Sequence, residues 1–294
     1  MATQTQDLLR KVRRLEIRSR RLVEDLFSGG TESVFKGRGV EFEEVRPYVP
    51  GDEVRDIDWN VTARLGEPYV KRFVEERELT VMLVVDVSRS MLFGTRGQEK
   101  RELAAELCAL LGFAAVRQND RVGMALVSDD VEHFVPPGRG RVHLLRILRD
   151  VLDHESAHGT KLGHAARFLT RTLKRRSLVF WISDFEDRLD ASDWRVMSGR
   201  HELTALAIRD PADELLPRAG WVLLEDLETG KRRLVDTNSE SLRRDYLKSA
   251  RERRRLSEKA LAEALCPMVE IRTDKPYMPA LVQFFRSRKR RGVA

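Results

Sequence analysis

An α/β fold is what this chain predicts: a doubly wound, mostly parallel sheet preceded by an N-terminal helix and an irregular β extension. Three observations carry the prediction. From residue 79 onward, short apolar runs alternate with helical patterns, as in strand–helix–strand units. The runs at 79–85 and 178–182 are continuous and rich in apolar residues with no polar face, as in strands buried on both sides. The first of them ends in Asp86-Val87-Ser88-Arg89-Ser90-Met91. That places a polar loop at a strand's carboxyl end, where open α/β sheets bind ligands.

Residues 6–27 read as an amphipathic helix. Leu8, Val12, Leu15, Leu22 and Leu26 recur at three- and four-residue spacing among Arg10, Lys11, Arg13, Arg14, Arg18 and Arg21, and Gly29-Gly30 ends the pattern. Such a helix packs on its own domain or docks on a membrane surface or partner helix. The segment 37–59 is too polar for a core element and too aromatic for a linker. Pro50-Gly51-Asp52 marks a turn, and short strands on either side are expected, anchored by Phe42, Tyr48, Ile57 and Trp59. Its closely alternating acids and arginines predict internal salt bridges. A second active site of Glu41, Glu44, Asp52, Asp56 and Asp58 is the alternative.

The remaining elements follow in order. Strand 79–86 leads to helix 99–117, which carries Leu103, Leu107, Leu110, Leu111 and Phe113. Strand 121–128 is followed by an antiparallel edge candidate at Val131 to Val135. Helices 141–153 and 161–173 precede the strand Leu178-Val179-Phe180-Trp181-Ile182. A helix near 190–199 connects to strand 203–208. Residues 220–236 resemble a hairpin turning at Glu228-Thr229-Gly230-Lys231, and a charged helix at 239–264 leads to a strand near 268–272 and a closing helix near 278–288. The expected domains are therefore 1–28, 29–78 and 79–290, the last with a hairpin–helix insertion at about 211–264.

Composition bounds the function classes. The 294 residues are 41% hydrophobic and 34% charged, enough for a sizeable core under a heavily solvated surface. No run approaches the roughly eighteen apolar residues that span a bilayer. The N-terminus lacks the apolar core of a signal peptide. The two cysteines, Cys108 and Cys266, form neither a disulfide framework nor a zinc motif and read as buried free thiols. Together these point to the cytoplasm. The net charge of +7 permits an acidic partner, but the 54 basic and 47 acidic residues are mixed along the chain. The basic tail from Arg286 to Arg291 reads as solvated chain, and without aromatic RNA motifs or a helix-turn-helix pattern nucleic-acid binding is a minor reading.

The chemistry concentrates on one sheet edge. Asp86, Ser88 and Ser90 bring one carboxylate and two hydroxyls onto one loop, hard oxygen donors of the kind that suit Mg²⁺. Strand 178–182 ends in Ser183-Asp184-Phe185, delivering a second carboxylate. The loop His158-Gly159-Thr160-Lys161 offers a threonine hydroxyl at a helix start. Taken singly, Ser90 and Thr160 are ordinary helix caps and Asp184 a turn residue; their order and shared edge make the argument.

Asp-x-Ser-x-Ser after the first strand, Gly-Thr before a helix and Asp after the fourth strand resemble the metal-ion-dependent adhesion site of von Willebrand factor A domains, over roughly residues 78–290. Upstream, Gly37-x-Gly39 through Glu41-Phe42, Arg46-Pro47-Tyr48, Pro50-Gly51-Asp52, Arg55-x-Ile57-Asp58-Trp59, Thr62-Ala63-Arg64, Tyr69-Val70-Lys71 and Glu75-Glu76-Arg77-Glu78-Leu79 resemble a bacterial family catalogued as domain of unknown function fifty-eight. The resemblance implies an A-type domain that binds Mg²⁺, with Mn²⁺ or Ca²⁺ as alternatives, through Asp86, Ser88, Ser90, Thr160 and Asp184. A partner's carboxylate would fill an open position on the ion. It further implies partnership with a MoxR-type AAA+ ATPase and a client protein. Some family members carry membrane spans ahead of this region, whereas here the basic helix comes almost first, so a soluble form is expected.

Arg89, Arg139 and Arg141 read as rim contacts for an acidic partner, or as ordinary solvated arginines. A rival reading is a metal-dependent hydrolase with Asp86 or Ser88 as nucleophile and His158 or His164 nearby as base. The second aspartate of a haloacid-dehalogenase phosphatase, the Gly-x-Ser-x-Gly elbow and a P-loop are all missing, so a non-enzymatic role is expected and any ATP dependence would come from a partner. A third reading is a basic protein on nucleic acid or an anionic membrane surface, with binding that collapses with salt and ignores Mg²⁺.

Overall fold

The structure, a computed structural model, describes residues 2–28, 41–74, 78–95, 98–155, 159–187, 189–225 and 230–291. The chain divides into two compact units, Phe35–Leu79 and the combination of Met1–Val34 with Thr80–Ala294. Helix α1 (Ala2–Ser28) opens the larger unit and buries Val12, Glu16, Ser19 and Val23, one stripe of its amphipathic pattern. The Gly29-Gly30 stop signal lies outside the described residues.

In the smaller unit, strand β1 (Glu41–Pro47) pairs antiparallel with β2 (Tyr69–Val74). Between them lie a 3-10 turn at Val54–Asp56 and helix α2 (Trp59–Leu65). Of the strands expected on either side of the Pro50-Gly51-Asp52 turn, β1 forms before it, and the one after it is corrected. β1 pairs with the strand that follows α2, and the stretch just after the turn contributes a bridge from Ile57 to Val70. Asp52 explains this. It accepts two hydrogen bonds from the Arg46 guanidinium, at 2.8 and 2.7 Å, and the Val49 N–H at 2.9 Å, curling the turn back on the end of β1. Asp58 caps α2 by accepting from Asn60 N–H and Val61 N–H. Trp59, expected as an anchor, is instead 66% exposed at the first position of α2. Asp52 and Asp58, two members of the alternative acidic site, thus hold a salt bridge and a helix end. Gly37, Gly39 and residues 75–77 lie outside the described residues.

The larger unit continues with β3 (Thr80–Asp86), α3 (Lys100–Arg117), β4 (Arg121–Val127), β5 (Val131–Gly138), α4 (Gly140–Asp153) and α5 (Leu162–Thr172). Then come β6 (Leu178–Ser183), α6 (Ala191–Ser198), β7 (Glu202–Arg209), α7 (Pro211–Glu214), β8 (Trp221–Glu225), β9 (Arg232–Asp236), α8 (Glu240–Glu263), β10 (Met268–Arg272) and α9 (Met278–Arg291). The central sheet has the order β10-β7-β6-β3-β4-β5. All its neighbours are parallel except β5, which runs antiparallel to β4 at the edge.

From β3 the chain winds outward to β4 and β5, then returns to β6 on the other side and winds outward to β7 and β10. The strand order therefore reverses between β3 and β6, and the crevice at their carboxyl ends is the position where such sheets bind ligands. Parallel neighbours require a crossover, and α8 is the crossover that joins β7 to β10, packed against α6 and α7. Within 211–264, the β8–β9 hairpin is what stands in addition to that crossover. Of its expected turn, Glu228 and Thr229 lie outside the described residues.

Both faces of the sheet are covered, which is why β3 and β6 are buried at every position. One face carries Met82, Val84, Ala125, Val127, Val179 and Trp181 into a core with α5, α6 and α8. There the Trp181 and Trp194 rings lie 4.3 Å apart between centroids. The other face sets Phe180 against Phe285 of α9 and supports α3, with α4 and α1 packed on it. A side chain at Gly112 of α3 would collide with Leu144 of α4, so the glycine sets how closely those helices approach. Cys108 and Cys266 are buried free thiols, and burial pushes both above the ordinary thiol range.

Candidate metal centre

The Asp-x-Ser-x-Ser loop leaves the end of β3, and the Ser183-Asp184 pair leaves the end of the adjacent β6. The Asp86 carboxylate is buried and fixed from two sides. Its Oδ1 accepts the Ser88 N–H at 2.9 Å, and its Oδ2 accepts the Ser183 hydroxyl at 2.5 Å. Ser88, fully buried, lies with its Oγ 3.0 Å from Ser90 Oγ. Ser90 in turn favours the charged form of Asp184. Hydrogen bonds join Asp86, Ser88 and Ser90, and the Asp184 charge acts on Asp86, so four of the five expected ligands form one group at the topological switch.

Thr160 reaches the same edge without joining that group. The Lys161 N–H donates to Ser128 O, just past the end of β4, and the Leu162 N–H donates to Asp187 beyond β6. Thr160 is thereby held beside both strand ends and half-buried. Among the described residues no hydrogen bond ties it to the other four. His164 is exposed on α5, and His158 lies outside the described residues.

The rim is smaller than expected. Arg89 sits on the 3-10 turn Arg89–Leu92 that follows Ser88 and is half-buried beside the group. Arg139 and Arg141 are corrected. β5 runs antiparallel to β4, so its end returns to the start of β4, with Gly138 opposite Val122. Both arginines follow at the amino edge, roughly 17 Å along the strand from the level of Asp86. There Arg141 makes a two-pronged ion pair with Glu16 of α1, at 2.6 and 2.9 Å. It anchors the N-terminal helix rather than receiving a partner.

The electrostatics of the two carboxylates differ. Burial, and then the charge of Asp184, push Asp86 up to about 7, and its Ser183 and Ser88 hydrogen bonds offset this in part. Burial also acts to raise Asp184, but the Lys100 ammonium outweighs it and holds that carboxyl below the usual range. Lys100, itself 2% exposed, lies 3.0 Å from Asp184 Oδ2 and 2.9 Å from Asp213 Oδ1. Burial disfavours its charged form, but the two carboxylates overcome this and raise it above the ordinary lysine value. Arg209 adds a hydrogen bond to the Asp184 carbonyl and an ion pair with Glu186 at 3.1 Å.

This donor set fits a hard divalent cation. Two hydroxyls and a buried carboxylate converge, and among the described residues Asp86, unlike Asp184, makes no ion pair that would stabilise its charge. A buried negative charge of this kind is stabilised by a cation beside it.

Ser183, Lys100, Asp213 and Asp210 belong to this site although sequence reasoning gave them no role. Asp210 caps α7 and accepts from Thr95 N–H at 3.0 Å, Thr95 hydroxyl at 2.5 Å and Thr273 hydroxyl at 2.7 Å. The loop after Ser90 is thereby tied to the ends of β7 and β10. Two signals pointed there: a lysine in the first turn of a helix opposes the helix dipole, and Asp210-Pro211-Ala212-Asp213 is a capping pattern at a strand end.

Residues 44–256 match the family described as "Protein of unknown function DUF58". The chain belongs to that family. It is 33% identical over 290 residues to uncharacterized protein Rv1480 of Mycobacterium tuberculosis, covering 96% of this chain and 90% of the relative. The same figures hold for uncharacterized protein Mb1516 of Mycobacterium bovis. Among solved structures, an aerotolerance-related membrane protein from Bacteroides fragilis, carrying multiple mutations to serines, is 17% identical with a TM-score of 0.50, covering 71% of this chain and 99% of that one. The SpRpn10 VWA domain is 11% identical with a TM-score of 0.37, over 70% and 94% of the two chains. The mixed, mostly parallel sheet flanked by helices is the von Willebrand factor A-type α/β fold that the DUF58 resemblance implies. Among the described residues of this DUF58 protein no helix is long and apolar enough to cross a membrane.

Proposed function

We propose that this DUF58 protein is a non-enzymatic, metal-dependent protein-interaction module that serves as adaptor or co-chaperone to a MoxR-type AAA+ ATPase during assembly of a client protein. The observation that supports it is the group of Asp86, Ser88, Ser90 and Asp184 at the topological switch of the sheet. Ser88 and Ser90 would present hydroxyl oxygens to Mg²⁺, Asp86 would supply the negative charge, and Asp184 and Thr160 would complete the shell directly or through water. The bound ion supplies positive charge and an open position for a partner's Glu or Asp. Ser183 and the Ser88 N–H hold the Asp86 carboxylate in one orientation, and the Asp210 hydrogen bonds keep the following loop in place. Arg89, beside the group, would add an attraction for an acidic partner. Ser88 Oγ meets Ser90 Oγ, an arrangement that serves ligation better than attack on a substrate.

Co-purification with a MoxR-type ATPase from a native host tests the reading. Capture should require Mg²⁺, fail in chelator, and fail for a folded Ser88→Ala/Ser90→Ala variant. Capture that ignores chelator and both substitutions would contradict it.

A further inference from the structure

One oxygen of Asp184, a proposed metal ligand, is already taken by the Lys100 ammonium. We propose that Lys100 is a tethered competitor of the divalent ion, an internal cation that shares Asp184 with the metal and sets how tightly the site binds it. This inference rests on the metal-site reading.

The Lys100 ammonium is enclosed between Asp184 Oδ2 at 3.0 Å and Asp213 Oδ1 at 2.9 Å, with the Phe93 ring 5.8 Å away. It is not free to swing out. Its backbone N–H is fixed to Phe93 O at 3.0 Å, and its side chain is 2% exposed. Asp213 is fixed too, because its other oxygen accepts the Asp210 N–H at 2.8 Å. Asp184 therefore answers to two groups, the ammonium it hydrogen-bonds and the Ser90 hydroxyl that also favours its charged form. A divalent ion arriving at Ser88 and Ser90 meets a carboxylate whose charge Lys100 already offsets, together with repulsion from the ammonium itself. Asp213 tempers this by drawing part of the ammonium's interaction away from Asp184.

The proposal makes two opposite forecasts, which separates it from a purely structural role for the lysine. Lys100→Met should tighten Mg²⁺ binding by on the order of ten-fold, since a neighbouring like charge is removed. Asp213→Asn leaves the ammonium with Asp184 alone and should weaken Mg²⁺ binding. The test is calorimetric titration of the full chelator-treated chain with Mg²⁺ to tens of millimolar, with circular dichroism confirming each fold. Tighter binding in Lys100→Met, including binding that appears only in that variant, supports the proposal. If the wild type binds Mg²⁺ through Asp86 but folded Lys100→Met binds it equally or less tightly, the competitor role is overturned and the metal site stands. If neither protein binds Mg²⁺ at any concentration, both fall. Should Lys100→Met fail to fold, Lys100→Gln replaces it, keeping hydrogen-bond donors without the charge. Unchanged or tighter binding in Asp213→Asn would overturn the proposal in either case.

Discussion

Ser183→Ala probes the orientation of Asp86 without touching any proposed ligand. The Ser183 hydroxyl donates to Asp86 Oδ2 at 2.5 Å and accepts the Phe185 N–H at 3.0 Å, so one substitution removes two buried hydrogen bonds. A hydrogen bond to a charged group contributes about 1.5–3 kcal/mol, and a buried N–H left without a partner costs about 1–3 kcal/mol. Phe185 holds a left-handed backbone, with φ at 52°, that the lost bond helps to fix. A net destabilisation of about 3 kcal/mol follows, which at about 2–4 °C per kcal/mol lowers Tm by about 6–12 °C. With Oδ2 released, the carboxylate keeps only the Ser88 N–H and can rotate. Loss of such a supporting bond weakens metal affinity about ten-fold or more. Thermal unfolding followed by circular dichroism gives the first quantity, and Mg²⁺ calorimetry on the folded variant gives the second. A Tm within a degree of wild type together with unchanged Mg²⁺ affinity would refute the assignment of Ser183 as the support of Asp86.

Glu16→Gln should loosen α1, because Arg141 and Arg20 both pair with that carboxylate. Limited proteolysis should then cut within residues 2–28 faster than in wild type, and equal rates would count against the anchor. Asp52→Asn should speed amide exchange at Val49, whose N–H that carboxylate accepts. The Arg46 guanidinium holds Asp52 below the usual carboxylate range, so the contact persists as pH falls toward 4 and is lost only below it. Burial, then Arg200 and Arg176, hold the His201 imidazole below its ordinary value, and both its nitrogens are buried without a hydrogen-bond partner among the described residues. The unfolded chain takes up that proton first, so this residue withdraws stability as pH falls below about 6.5. Urea midpoints for His201→Phe should therefore fall less than wild type between pH 7.5 and pH 5; parallel slopes would contradict this.

Much of the fold was legible because its signals are local. The apolar runs of β3 and β6 and the amphipathic stripes of the helices carry their own periodicity, and the doubly wound sheet follows from their alternation. Asp86, Ser88, Ser90 and Asp184 were legible for the same reason, since each lies at the end of a recognisable strand. What escaped depended on pairing between distant segments. The partner of β1 is β2, beyond a helix, and the Arg46–Asp52 pair and the Val49 N–H bond curl the intervening turn back on the end of β1. Arg139 and Arg141 looked like rim residues until the antiparallel return of β5 carried them to the opposite edge. Lys100 lies far from Asp184 and Asp213 in the chain, and no spacing rule links a helix start to the ends of β6 and β7.

The central claim is that Asp86 is the charged member of a divalent-cation site. It is tested most directly by calorimetric titration of chelator-treated wild type and Asp86→Ala with Mg²⁺ into the millimolar range. The account expects saturable binding to wild type that vanishes in a variant still folded by circular dichroism. Equal binding by both would contradict it, as would no binding by wild type and none by Lys100→Met, and either result would leave an A-type scaffold whose partners engage another surface.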